Sequence, residues 1–305
     1  MKAKTIKAVI RNKVNAWLES IEDETVRKLL AKNVIVTGGC IASMLLKEKV
    51  NDFDLYFRTQ EAAEMAAGYY VAQFKKNPPP RFADMREIPI HVLVEGDRVK
   101  IVVKSAGIAS ATGDQDYRYF EGDQDPGAPN AEDYVQRAMG IVEDAEDEGK
   151  PQYRPVFLSA NAITLSQRVQ LIVRFHGEPD EVHKNYDFAH CTNYWTSWNN
   201  ELYLRPEALE ALLTRELRYN GSRYPLCSII RLRKFIKRGW TINAGQILKM
   251  VMQLNALDLT DLSVLEDQLT GVDVAYFIEV INALRERDEK TVDSAYLLEI
   301  IDRMF

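Results

Sequence analysis

One block constrains this chain more than any other. Val34-Ile35-Val36-Thr37 is a compact β-branched run, Gly38-Gly39 follows at once, and Ile41 to Leu46 is helical in pattern. A second strand-like run, Asn51-Asp52-Phe53-Asp54-Leu55-Tyr56-Phe57, comes a few residues later. Runs of β-branched and aromatic residues bounded by turn residues read as strands, and a Gly-Gly between strand and helix reads as a tight turn. Side chains alternate along a strand, so Asp52 and Asp54 share one face while Phe53, Leu55 and Phe57 anchor the other.

Two neighbouring carboxylates repel, and each resists ionisation unless a cation lies between them. Mg²⁺ suits such a pair, because it takes oxygen ligands and is commonly held by one or two carboxylates together with substrate phosphates. The Gly-Gly turn supplies the complementary half. Backbone without side chains lets a ligand approach closely, and the free amides of the following helix point at any phosphate placed there. Taken alone, a Gly-Gly is a turn and an Asp-x-Asp at a strand edge is a solvated acidic pair. The order strand, Gly-Gly, helix, Asp-x-Asp strand joins them into a candidate site for a metal and a triphosphate.

The rest of the chain frames that site. Its 305 residues are 46% hydrophobic, which excludes wholesale disorder and leaves apolar mass for one large or two modest cores. The net charge of −6 excludes histone-like coating of DNA, so nucleic acid has to be held by a local basic patch. Cys40, Cys191 and Cys227 are odd in number and far apart, a pattern that fits a reducing cytoplasm rather than a disulfide framework. Met1 to Asn15 is charged, and no window approaches the roughly 18 apolar residues of a membrane span. The expectation is a soluble, unsecreted protein with no membrane partner, acting in the cytoplasm.

Helical spacing covers residues 5–31 and 61–74, the latter ended by Pro78-Pro79-Pro80, and Gly96-Asp97 joins two strand-like runs as a type II′ hairpin. Strand character returns at Ala162 to Leu165, at Val169 to Phe175 and near Cys191 to Trp195. From Pro206 onward the pattern is helical, over 206–219, 228–238, 244–254, 263–269, 273–285 and 293–304. The fold class is therefore α+β, with a front domain at 1–205 and an all-helical domain at 206–305. An acidic insertion occupies about 113–150, where twelve acidic residues face Arg118 and Arg137. It reads as a solvated loop, or as a lid or partner-binding arm.

Gly38-Gly39 followed by Asp52-Phe53-Asp54-Leu55 resembles the signature of the DNA polymerase β-type nucleotidyltransferase superfamily. The resemblance implies a mixed-sheet palm with two metal-binding aspartates, and transfer of a nucleoside monophosphate from an NTP that depends on Mg²⁺ or Mn²⁺. Within that superfamily the chain looks most like nucleotidyltransferase-like proteins of large tailed phages, an impression supported by the runs Ser159 to Leu165 and Asn185 to Cys191. If phage-encoded, it would work in the host cytoplasm. A looser similarity, over Pro225 to Phe235 and Gly239-Trp240-Thr241-Ile242, is to the helical neck of CCA-adding enzymes and bacterial poly(A) polymerases. Cys227 replaces an arginine of that pattern, Trp240 replaces a phenylalanine, and the arginine and aspartate that normally follow the double glycine are absent.

In the superfamily a third carboxylate lies on a later strand beside the Asp-x-Asp strand. By position this falls near Gln170, which can be neither an anionic ligand nor a base. Asp187, in Tyr186-Asp187-Phe188, is the replacement candidate, although it equally fits a residue capping the turn before a strand. Gly38, Gly39 and Ser43 are the candidates for holding the triphosphate. Eight basic residues stand between Arg215 and Arg238 against the single acid Glu216, and Arg231 and Arg233 are the candidate phosphate contacts; a solvated helix face is the plainer reading. His176, His183 and His190 are evenly spaced without sharing a face, which argues against a zinc site. The expected activity is metal-dependent nucleotidyl transfer to an acceptor hydroxyl; the neck resemblance slightly favours an RNA 3′ end over a protein hydroxyl or a second nucleotide as acceptor. The alternative is a catalytically degenerate nucleotide- or RNA-binding protein on the same fold.

Overall fold

A computed structural model describes residues 1–76, 90–103, 151–158 and 161–261, with residues 264 and 268. The acidic insertion, the triple proline, the Ser159-Ala160 pair, the helices expected at 273–285 and 293–304 and nearly all of that expected at 263–269 lie outside the described residues. The chain divides into two compact units. Among the described residues the first holds 1–183 and 191–205, and the second holds 184–190 and the residues from 206 onward.

The first unit opens with α1 (Ala3–Glu19), whose Ile6, Ile10, Val14, Trp17 and Leu18 recur at helical spacing and are buried. Asp23 caps α2 (Glu24–Ala31) by accepting hydrogen bonds from the Thr25 and Val26 amides. The chain then forms β1 (Val34–Thr37), α3 (Gly39–Leu46), β2 (Phe53–Phe57) and α4 (Gln60–Lys76). A hairpin of β3 (Ile90–Glu95) and β4 (Arg98–Val103) follows, and Gly96 at φ +59° leads its two-residue turn as a glycine-first turn requires. Next come β5 (Pro155–Leu158), β6 (Ala162–Leu165), β7 (Val169–His176), the short α5 (Pro179–His183), a 3₁₀ turn (Ala189–Cys191), β8 (Tyr194–Thr196) and β9 (Glu201–Tyr203).

Seven strands form one sheet in the order β5-β6-β7-β2-β1-β8-β9, and β3-β4 stands as a separate pair. Every pairing in the large sheet is antiparallel except β2 with β7, which is parallel, so the sheet is mixed. One face packs against helices. Val34, Val36, Phe53, Leu55 and Phe57 join residues of α1, α2, α3 and α4 in a single buried cluster. Trp17 Nε1 donates to Tyr70 Oη at 2.8 Å, tying α1 to α4 inside that layer.

The second unit contains α6 (Pro206–Thr214), α7 (Pro225–Lys237) and α8 (Ala244–Leu254). The expected helix over 206–219 is shorter. It stops at Thr214, because Arg215 adopts φ +51° and the Leu217 amide bonds to Thr241 O instead of continuing the helical ladder. Tyr219 then bridges to Phe188, which anchors 184–190 in this unit. No described helix is long and apolar enough to cross a membrane. The fold is α+β: a mixed sheet flanked by helices, then a helical region.

Candidate functional site

The site is built by strand register. Thr37 pairs with Asp54 across β1 and β2, and Asp54 pairs with Gln170 across β2 and β7. Thr164 lies opposite Gln170, Tyr194 opposite Thr37, and Tyr203 opposite Tyr194. Paired residues share a face, so Tyr203, Tyr194, Thr37, Asp54, Gln170 and Thr164 form one row across the sheet on the face away from the helix-packed core. Asp52, just before β2, keeps the alternation and is half-buried like Asp54, while Phe53 and Leu55 between and beyond them enter the core.

Gly38 and Gly39 turn the chain from β1 into α3 beside this row. Gly38 caps the helix at φ 89° and ψ −150°, backbone open essentially only to glycine. Nothing lies within 4 Å of where a side chain on Gly39 would begin. Ser43 is one helical turn further along α3 and is 8% exposed. The Asp-x-Asp pair is close enough to this turn to act on it electrostatically. Burial pushes the Cys40 thiol up, and the carboxylates of Asp54 and Asp52 push it further. Cys40 therefore stays a protonated thiol at the start of α3.

The turn is held from below by a buried polar group. Thr37 Oγ1 lies 2.8 Å from His183 Nε2, 2.9 Å from Asn193 O and 3.3 Å from Cys191 O, and the Gly38 amide donates to Cys191 O at 3.1 Å. Burial lowers the pKa of His183 to about 4, with nearby Arg205 lowering it and Asp180 opposing, so its imidazole is neutral. Tyr194 stacks on Tyr203 with ring centroids 4.7 Å apart, and the Arg205 guanidinium, paired with Asp180, lies over the Tyr194 ring at 5.5 Å. Sequence reasoning missed this support. The only local signal for it is a threonine at the last position of a strand before two glycines, and its partners are 146 and 156 residues away.

The remaining sequence candidates belong to the second unit. Arg231 Nη1 donates to Asp187 Oδ2 at 2.7 Å, with side-chain exposures of 35% and 13%. The Asp187 carbonyl accepts from the Asn220 amide at 2.8 Å. The structure thus joins Asp187 to Arg231, while Arg233, Lys234, Lys237 and Arg238 are exposed. His190 is packed between Phe235 at 4.6 Å and Trp240 at 4.3 Å, and burial lowers its pKa to about 4. Among the described residues no three His, Cys, Asp or Glu side chains gather as a metal cluster. Asp52 and Asp54, half-buried on one face, are the residues that could offer two carboxylates to a cation. That fits a hard ion such as Mg²⁺ only with water and ligand oxygens completing the shell.

No curated protein matches the chain. Among solved structures it is similar to the Thermotoga maritima CCA-adding enzyme complexed with tRNA, at 13% identity and a TM-score of 0.37, over 80% of this chain and 45% of that one. It is also similar to a tRNA-processing enzyme with CTP, at 12% identity and a TM-score of 0.35, over 73% and 43% of the two chains. A CCA-adding enzyme in apo form is similar at 12% identity and a TM-score of 0.36, over 84% and 49%. The chain thus spans about half the length of these enzymes. A family model matches residues 8–215, the greater part of the sequence and all of the strand, glycine turn and Asp-x-Asp block, and the chain belongs to the Gabija anti-defense 2 family.

Proposed function

We propose that this chain is a metal-dependent nucleotidyltransferase whose transfer reaction serves counter-defence. The observation that carries the reading is the register of β1 with β2, in which Thr37, the residue before Gly38-Gly39, is the partner of Asp54. It sets the side-chain-free backbone of the glycine turn next in sequence to a residue paired with one of the two carboxylates. On this reading Asp52 and Asp54 hold Mg²⁺ or Mn²⁺, and Gly38, Gly39 and Ser43 receive the triphosphate of an NTP. Bound there, the ion supplies Lewis-acid stabilisation of charge on phosphoryl oxygens. The glycine turn and the first amides of α3 orient the same phosphates without side-chain interference.

The proton of the acceptor hydroxyl needs a base, and Gln170 cannot serve as one. Water or a substrate phosphate oxygen takes it, which predicts a slow enzyme. Exposed Arg233 and neighbouring basic residues of α7 suit the phosphates of an RNA 3′ end, the acceptor favoured here. Asp187 as a third ligand would have to leave Arg231. Encoding by a phage and action in the host cytoplasm belong to the same proposal.

A second reading rests on a specific pair of observations. Gln170 beside Asp54, and Asp187 engaged by Arg231, also suit a degenerate protein that binds nucleotide or RNA without turning it over. One experiment separates the two. Pure protein is incubated with α-labelled NTPs, Mg²⁺ or Mn²⁺ and RNA or host lysate. Metal-dependent incorporation that Asp52→Asn and Asp54→Asn abolish, with unchanged melting, supports the enzyme. ATP binding that survives chelation of the metal, with no product formed, supports the binder.

A further inference from the structure

Thr37 Oγ1 has three neighbours within hydrogen-bonding distance and one proton to give. Two of them, Asn193 O at 2.9 Å and Cys191 O at 3.3 Å, can only accept. The hydroxyl proton goes to them, so the third contact, at 2.8 Å, must be donated by His183 Nε2. The hydrogen-bond pattern thus assigns the imidazole the Nε2–H form. All three residues are sealed from solvent, with exposures of 0% for Thr37, 7% for His183 and 1% for Asn193. Asn193 is itself held, its Oδ1 accepting from the Arg205 amide at 2.8 Å.

The chain path gives this cluster its meaning. His183 is the last residue of the first unit before the seven-residue excursion Lys184–His190 into the second, and Cys191 is the first residue after it. Both ends of the excursion are bonded to the Thr37-Gly38 peptide region, one through the hydroxyl and the other through the hydroxyl and the Gly38 amide. Glycine backbone has no side chain to hold it, so the direction of the turn amides has to be set from outside the turn. A buried, fully partnered hydroxyl does that.

We infer that His183 is a positioning residue, which through the Thr37 hydroxyl fixes the Gly38-Gly39 turn for the triphosphate. The assignment rests on the proposed nucleotide site. It names a residue that touches neither substrate nor metal and acts only on the geometry of the turn.

The test compares Thr37→Val and His183→Ala, which break the bond, with Thr37→Ser and His183→Gln, which keep a hydroxyl and a donor. The first readout is amide hydrogen exchange at Gly38 to Cys40 in ligand-free protein. The second is the dissociation constant for Mg-ATP and for Mg-tripolyphosphate. In both breaking variants exchange at Gly38 accelerates, and affinity for both ligands falls by about tenfold or more, while the two conservative variants stay near wild type. Equal loss for ATP and tripolyphosphate assigns the effect to the phosphate turn rather than to base recognition. Folded His183→Ala protein that exchanges and binds like wild type overturns the inference. Wild-type protein that binds neither ligand overturns the nucleotide reading instead, and the exchange data still judge the clamp.

Discussion

Gln170 stands beside Asp54 where β7 runs parallel to β2, one strand spacing of about 4.8 Å away. A carboxylate at this position would share the face of Asp54, whereas an amide carries no charge to offer a cation. The row therefore holds one acid, Asp54, with Asp52 two residues before it along the chain. Gln170→Asp adds like charge to it, so the variant should melt below wild type in chelator. Added Mg²⁺ should then raise its melting temperature by more than it raises that of wild type, because the ion binds a stronger donor set. Thermal unfolding with EDTA and with Mg²⁺ checks both halves. Equal Mg²⁺ responses in the two proteins would mean that this face takes no cation.

The two glycines of the turn should separate folding from binding. Gly38 has a backbone conformation that a Cβ disfavours, so Gly38→Ala should cost about 1–3 kcal/mol of stability. Gly39 begins a helix with open space where its side chain would be, so Gly39→Ala should leave stability unchanged or slightly raised. The same methyl group would occupy the approach to the turn amides. Denaturant unfolding and Mg-ATP titration, run on both variants, should show a stability loss in the first and an affinity loss without a stability loss in the second.

The glycine turn and the acid pair were legible because both are local. A four-residue strand, two glycines and an alternating Asp-Phe-Asp reveal their faces without knowledge of any partner. The position of Gln170 was legible from the hairpin of β6 and β7 once the Asp-x-Asp strand was its expected neighbour. What was not legible depends on distant contacts. β5 and β9 are short strands that exist because β6 and β8 supply their hydrogen bonds. The early end of α6 depends on Thr241 receiving the Leu217 amide, and no residue between 206 and 219 announces it. Arg231 reads as one of several basic residues on a helix until Asp187 is found against it.

Two histidines should make stability depend on pH. His183 and His190 each have a pKa lowered to about 4, first by burial and then by Arg205 and Arg238 respectively, against an unfolded value near 6.5. Between those values the unfolded chain binds protons that the folded chain refuses. Stability should therefore fall as pH drops from about 6.5 towards 4, by up to roughly 3 kcal/mol for each histidine. Urea unfolding at several pH values across that window checks the slope. His190→Gln should flatten it by about one proton's worth, and an unchanged slope in that variant would mean that His190 titrates normally in the folded state.

The contact between Asp187 and Arg231 decides what this aspartate is for. An ion pair that is part buried, at 2.7 Å, loses more when one partner is removed than when both are, because the remaining charge is left without compensation. Asp187→Asn and Arg231→Met should each destabilise the protein by about 1–3 kcal/mol. The double variant should cost less than the sum of the two. If Asp187 serves only this pair, none of the three variants changes the Mg²⁺ dependence of nucleotide binding. If it serves as the third ligand, Arg231→Met releases the carboxylate and tightens Mg²⁺ binding, while Asp187→Asn weakens it. A double-mutant cycle read by urea unfolding, with Mg²⁺ titrations of the four proteins alongside, distinguishes a structural pair from a ligand held in reserve. Opposite Mg²⁺ effects in the two single variants are the result that would make Asp187 part of the site.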